Sequence, residues 1–171
     1  ATAYNQARAS ASGPGRANVL AAVAEFTLRT GTAKDGLAVA KEAVGAGATA
    51  PALAAQARAL LRSENGPEAL AAADKAVAAD GSSAIAHTAR GEALIALGKL
   101  ADAEAALRRA VELDPKSALA YSRLSLAQLR LGRFADALAS ARRGTEVDDK
   151  FGEGFAALAG AMLAADPKSW S

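Results

Sequence analysis

No cysteine occurs in this chain of 171 residues, and histidine, methionine and tryptophan occur once each. The first absence excludes disulfides, thiolate zinc sites and a cysteine nucleophile. The single histidine, His87, excludes a metal centre or catalytic dyad built on a histidine pair. No apolar run reaches the roughly 18 residues that span a bilayer, so direct membrane insertion is not expected. Nor does the start of the chain have the form of a secretory leader. A cysteine-free chain suits cytoplasm and periplasm alike, so localisation stays open. Charge of one sign is lacking too: 20 basic residues face 18 acidic ones, for a net charge of +2. So balanced a set attracts polyanions weakly, and nucleic acid is not an expected partner. Gly152-Glu153-Gly154 is too short for a phosphate loop and follows no strand. Asp148-Asp149 lacks the spacing of a calcium loop. No cofactor is implied, no residue set specifies a reaction, and the chain reads as non-catalytic.

Aromatic residues make up only 4% of the sequence, although 51% is hydrophobic, and much of that fraction is alanine. Such a chain cannot build one thick core. It can build close-packed helix pairs, because alanine is the best helix former and lets backbones approach. A fixed period supports that choice. His87 and Tyr121 stand 34 positions apart, as do Gly98 and Gly132, Asp102 and Asp136, Arg109 and Arg143, and Asp114 and Asp148. A period of 34 residues points to stacked helix–turn–helix units.

The clearest unit reads as helix Ala84–Leu97, turn Gly98-Lys99 and helix Leu100–Leu113, ended by Asp114-Pro115 because the residue before proline leaves the helical region. Ala118–Leu131, Gly132-Arg133 and Phe134–Val147 repeat it. Before them come Ala17–Thr30, Ala33–Val44 closed by Gly45-Ala46-Gly47, Pro51–Arg62, and Glu68–Ala79 started by Pro67. Phe151–Ala165 reads as a further first helix. Nothing reads as a strand. The repeats fall at about 17–49, 50–83, 84–117 and 118–151, with 1–14 as the end of a preceding repeat or a tail, and 152–171 as a partial repeat. The chain then reads as one solenoid cut from a longer array, with Trp170 near the approach to another helix.

The pattern resembles the tetratricopeptide repeat family. With repeats starting at Ala17, Ala50, Ala84, Ala118 and Gly152, position 8 holds Ala24, Ala57, Gly91, Ser125 and Ala159. Position 20 holds Gly36, Ala69, Ala103 and Ala137, and position 27 holds Ala43, Ala76, Ala110 and Gly144. Small residues there let paired helices close to about 8–10 Å. The larger position 4 holds Leu20, Leu53, His87, Tyr121 and Phe155. Position 7 departs from the pattern at Gln56 and Arg90, where an aliphatic residue is usual. The resemblance implies an all-α, right-handed α-α superhelix, a solenoid of antiparallel helix pairs. Pentatricopeptide repeats are the rival, but their period is 35.

The resemblance also implies a concave groove lined by positions 2, 5, 9, 12 and 13 of the first helices. Its candidate partner-binding residues are Arg29, Arg58, Arg62, Leu61, Thr88, Glu92, Ile95, Ser122, Leu126, Leu129 and Arg130. A groove with a small-residue floor, aliphatic edges and spaced guanidiniums suits a protein or peptide segment carrying acidic groups. Some relatives clamp the acidic tail of heat-shock chaperones with Lys at position 5 and Asn at 9. Here these positions are Ala21/Glu25, Ala54/Arg58 and Thr88/Glu92, so no such clamp is expected. The expected function is a protein–protein interaction scaffold. Alternatives are an accessory segment of a larger enzyme or of a bacterial envelope, secretion or export machine, an RNA-binding repeat, and self-association through open terminal repeats. His87 is expected to be structural. The pairs Arg108-Arg109 and Arg142-Arg143, with Asp102, Glu104, Glu112 and Asp136 nearby, are expected to form solvated helix faces.

Overall fold

In the computed structural model the described residues are 15–148, with residues 6, 9, 12, 13, 150, 154, 158 and 160–162 besides. The helix expected at Phe151–Ala165 falls mostly outside them, as do Asp149, Leu163, Trp170 and most of residues 1–14. Within the described residues eight helices are bounded: α1 (Arg16–Thr30), α2 (Ala33–Ala46), α3 (Ala50–Arg62), α4 (Gly66–Ala79), α5 (Ala84–Ala96), α6 (Leu100–Leu113), α7 (Ala118–Arg130) and α8 (Phe134–Val147). No strand occurs among them.

Hydroxyls and one amide start five of these eight helices. The side chains of Thr32, Thr49, Ser83 and Ser117 accept from the backbone N–H three residues on, and Asn65 does the same for α4. Each satisfies one of the donors that a helix start leaves open, for about 1 kcal/mol. The turns inside successive pairs recur in conformation as well as position. Gly98 (φ 72) and Gly132 (φ 76) take the left-handed region, and Glu64 (φ 58) takes it one repeat earlier. Between pairs, Asp80 and Asp114 accept at Oδ1 from the backbone N–H of Ser82 and Lys116. The turn between α2 and α3 is Gly47-Ala48-Thr49, one residue shorter than Asp80–Ser83 or Asp114–Ser117. The first repeat, 17–49, is one residue short of the 34-residue step, and the missing residue lies in that turn.

Each helix packs on its pair mate and on the helix that follows it. First helices also touch one another in series, α1 with α3, α3 with α5 and α5 with α7, whereas second helices make no such approach among the described residues. First helices therefore sit on the inside of the curve. The core is alanine with leucine inserts: Ala24, Ala57, Ala69, Ala76, Ala103, Ala110 and Ala137 are fully buried, and so are Leu20 and Leu107. Contact is closest where glycine stands. A Cβ on Gly91 would lie 2.4 Å from Leu107 Cγ, and one on Gly36 would lie 2.4 Å from Leu28 Cδ2. The departures at position 7 are absorbed at the surface of the packing. Gln56 is half-buried, and Arg90 reaches Asp74 of α4 at 2.7 Å.

One expected solvated face differs. Glu104 of α6 is buried, 5% exposed, and accepts from Arg108 at 2.8 Å, Gln128 at 3.3 Å and Arg133. α7 covers it because Gln128 takes an interior position, where Ser140 donates to its Oε1 at 2.8 Å. Burial pushes the Glu104 carboxyl up, but the bonds from Arg108, Gln128 and Arg133 outweigh it and hold the pKa below its ordinary value. Arg109 and Arg143 do lie on solvated faces, paired with Glu112 and Glu146 at 3.0 Å. His87 is half-buried. Its Nε2 donates to the Gly81 carbonyl at 3.0 Å, which ties α5 to the turn before it.

Candidate binding groove

The inner surface holds a cleft of about 570 Å³ that crosses four first helices. It is lined by Glu25, Leu28 and Arg29 of α1, Arg58, Leu61 and Arg62 of α3, Glu92 and Ile95 of α5, and Leu119, Arg123 and Leu126 of α7. Its position follows from the packing: small residues beneath draw the first helices together, and their outward stripes form one continuous floor.

Charge on that floor is ordered. Arg58 donates from Nη1 to Glu25 at 2.9 Å and from Nε to Glu92 at 2.8 Å. Arg123 donates from Nε to the other Glu92 oxygen at 2.8 Å. The result is a ladder, Glu25–Arg58–Glu92–Arg123, that runs from α1 to α7 with alternating sign. The side chains of Arg58 and Glu92 are 16% and 11% exposed, against 33% for Glu25. Burial of Arg58 works against its charge, but the carboxylates of Glu92 and Glu25 outweigh it and hold the guanidinium's pKa above its ordinary value. Burial likewise pushes the Glu92 carboxyl up, while Arg58 and Arg123 pull it further the other way, so its pKa lies below the ordinary one. Both rungs stay ionised at neutral pH.

Of the residues expected in the groove, Arg29, Arg58, Leu61, Arg62, Glu92, Ile95 and Leu126 line the cleft. Thr88 and Ser122 do not. Both are buried, and the Thr88 hydroxyl donates to the Ala84 carbonyl of its own helix at 2.8 Å. Leu129 packs on Ala137 and Ala141, and Arg130 is exposed outside the cleft. Arg58 differs from the other arginines because its guanidinium is already bonded to two carboxylates. Arg29 and Arg62 are exposed, and neither carries an ion pair among the described residues. Arg123 was not among the expected residues. It stands at position 6, where earlier repeats have Ala22, Ala55 and Ala89, so the periodic pattern gives it no emphasis. The described residues hold no cluster of three metal-ligating side chains, and no helix among them is long and apolar enough to cross a membrane.

The tetratricopeptide repeat family model matches residues 54–118 and 88–150, more than half of the chain. This chain belongs to the tetratricopeptide repeat family. The first tetratricopeptide repeat domain of Spaghetti (RPAP3), solved bound to the HSP90 peptide SRMEEVD, is similar at 26% identity and a TM-score of 0.62, over 68% of this chain and 92% of that one. The thermophilic repeat protein TTC0263 of Thermus thermophilus aligns over 95% of this chain and 88% of its own, at 22% identity and a TM-score of 0.79. The TPR2B domain of yeast Sti1, solved with an Hsp70 peptide, aligns over 67% and 96%, at 22% identity and a TM-score of 0.61. No curated protein matches the sequence. The fold is the all-α right-handed superhelix expected of the family, and the rival repeat class with the 35-residue period is set aside.

Proposed function

We propose that this chain is a protein-interaction scaffold that takes a peptide segment of a partner protein in the concave cleft. The observation that carries the reading is the cleft itself: an apolar trough of Leu28, Leu61, Ile95, Leu119 and Leu126, crossed by a charge-neutral ladder and edged by Arg29 and Arg62. The ladder matters to the chemistry. A floor whose charges are mutually satisfied presents no unpaired ion to be desolvated when a peptide covers it, so apolar contact is gained at little electrostatic cost. The similarity to the peptide-bound Spaghetti domain supports the reading. The mode of binding differs from the chaperone clamp, since the positions that would carry Lys and Asn hold Ala54, Arg58, Thr88 and Glu92, the second and fourth of them committed to the ladder.

The test is selection of peptides from a random display library on the chain, followed by binding to Leu126→Asp. Leu126 is half-buried in the cleft, so a carboxylate there disturbs the trough more than the fold. Selected peptides should lose about tenfold or more in affinity, the value of burying one large apolar side chain. Peptides that bind Leu126→Asp as well as the parent would refute the cleft as the site.

A further inference from the structure

The two arginines at the edge of the cleft differ from every other arginine that lines it. Arg58 and Arg123 are engaged in the ladder. Arg29 lies in the last turn of α1 and Arg62 is the last residue of α3. Both are exposed and neither has an ion-pair partner among the described residues. They hold the same register position on helices that touch directly. Packed helices lie about 8–10 Å apart, which sets the separation of the two guanidinium stems. The next first helix, α5, has the exposed Ala96 at this register, and the edge becomes basic again only at Arg130. The edge is thus one isolated pair of cations, then a gap. The carboxylates that line the cleft, Glu25 and Glu92, are both already bonded to Arg58.

We infer that this edge selects a partner segment with two carboxylates three residues apart, each bonded by one of Arg29 and Arg62, with an apolar side chain from between them seated over Leu28 and Leu61. The inference rests on the cleft being the peptide site. A polyproline-II-like segment brings side chains i and i+3 onto one face about 9 Å apart, which matches one helix step. Guanidinium forks suit carboxylates. The carboxylates are side chains inside a segment, so a free chain end is not required. A cation in the last turn of a helix also complements the helix dipole, so the deciding readout is binding, not stability.

The probes are fluorescein-labelled peptides, acetylated and amidated at their ends, with a core of Asp-Leu-Leu-Asp. Control cores carry the two aspartates adjacent or six residues apart, or asparagine in place of both. Anisotropy titrations should show the i, i+3 core binding about five- to tenfold tighter than each control. Arg29→Gln and Arg62→Gln should each remove that advantage, and Arg130→Gln should leave it unchanged. Far-ultraviolet circular dichroism should show the variants as helical as the parent. Equal binding of all cores, loss-free variants, or no binding of any core overturns the inference. If every core binds alike and Leu126→Asp abolishes binding, the diacid edge falls while the cleft stands. If binding ignores Leu126→Asp, both fall.

Discussion

Arg58 is the residue whose removal has the most clearly defined cost in this structure. It is the only bridge between Glu25 and Glu92 in the ladder. Arg58→Met keeps most of the aliphatic stem and deletes the guanidinium. Glu25, one-third exposed, turns to water at small cost. Glu92, 11% exposed, cannot, and it keeps only the bond from Arg123 at 2.8 Å. Removing one partner of a fully buried pair costs about 3–5 kcal/mol, and a hydrogen bond to a charged group contributes about 1.5–3 kcal/mol. With Arg123 still in place, the expected loss is about 2 kcal/mol. At a urea dependence of about 1–3 kcal/mol per molar, that lowers the midpoint by about 1 M, read by circular dichroism at 222 nm. The double variant Arg58→Met with Glu92→Leu removes the stranded carboxylate and should recover most of the loss, since apolar replacement of a buried pair is often neutral or better. A single variant within about 0.5 kcal/mol of the parent, or a double variant worse than the single, would refute the view that the ladder exists to satisfy buried charge.

Glu92 and Glu104 both have depressed pKa values in the fold. Their contribution is therefore present above the unfolded carboxylate value, about 4.3, and is lost as pH falls through the folded values below it. Stability measured by urea titration should drop below about pH 4, and Glu92→Gln should flatten that drop; a drop of the same size in the variant would contradict it. Gly91→Ala places a methyl 2.4 Å from the fully buried Leu107. Overpacking of about 1–3 kcal/mol should exceed the helix-propensity gain of about 1 kcal/mol, so the melting temperature should fall by several degrees. Glu64→Gly relieves a left-handed backbone that costs an L-residue about 1–2 kcal/mol, and should stabilise by about 1 kcal/mol in the same urea assay; Gly98→Ala should destabilise by a similar amount.

Much of the architecture was legible in the residue order. The 34-residue step, with small residues at Gly91, Ala103 and Ala110, announces a helix pair, and the ends of α6 and α8 coincide with those expected from Asp114-Pro115 and from the step itself. These signals are local, carried by propensity and proline or glycine punctuation, so they survive without tertiary information. The turn at Glu64 was less legible, because glutamate gives no hint of the left-handed backbone that Gly98 and Gly132 advertise. Arg58 and Arg62 look alike in the sequence, as exposed-seeming arginines one helical turn apart. In the fold the first is a buried rung and the second a free edge.

The sequence by itself determined the helical repeat, because that depends on periodicities of a few residues. Only the tertiary structure decided which side chains line the cleft, since Thr88 and Ser122 are buried while Arg123 joins it, and how those side chains pair. Glu25, Arg58, Glu92 and Arg123 are 31 to 34 residues apart along the chain. Their pairing depends on the distances between neighbouring first helices, which small core residues set. Burial of Glu104 likewise depends on α7 and Arg133 closing over it. Coulomb energies change with a few ångströms of separation and with exclusion of water, and neither quantity is written in the order of the residues.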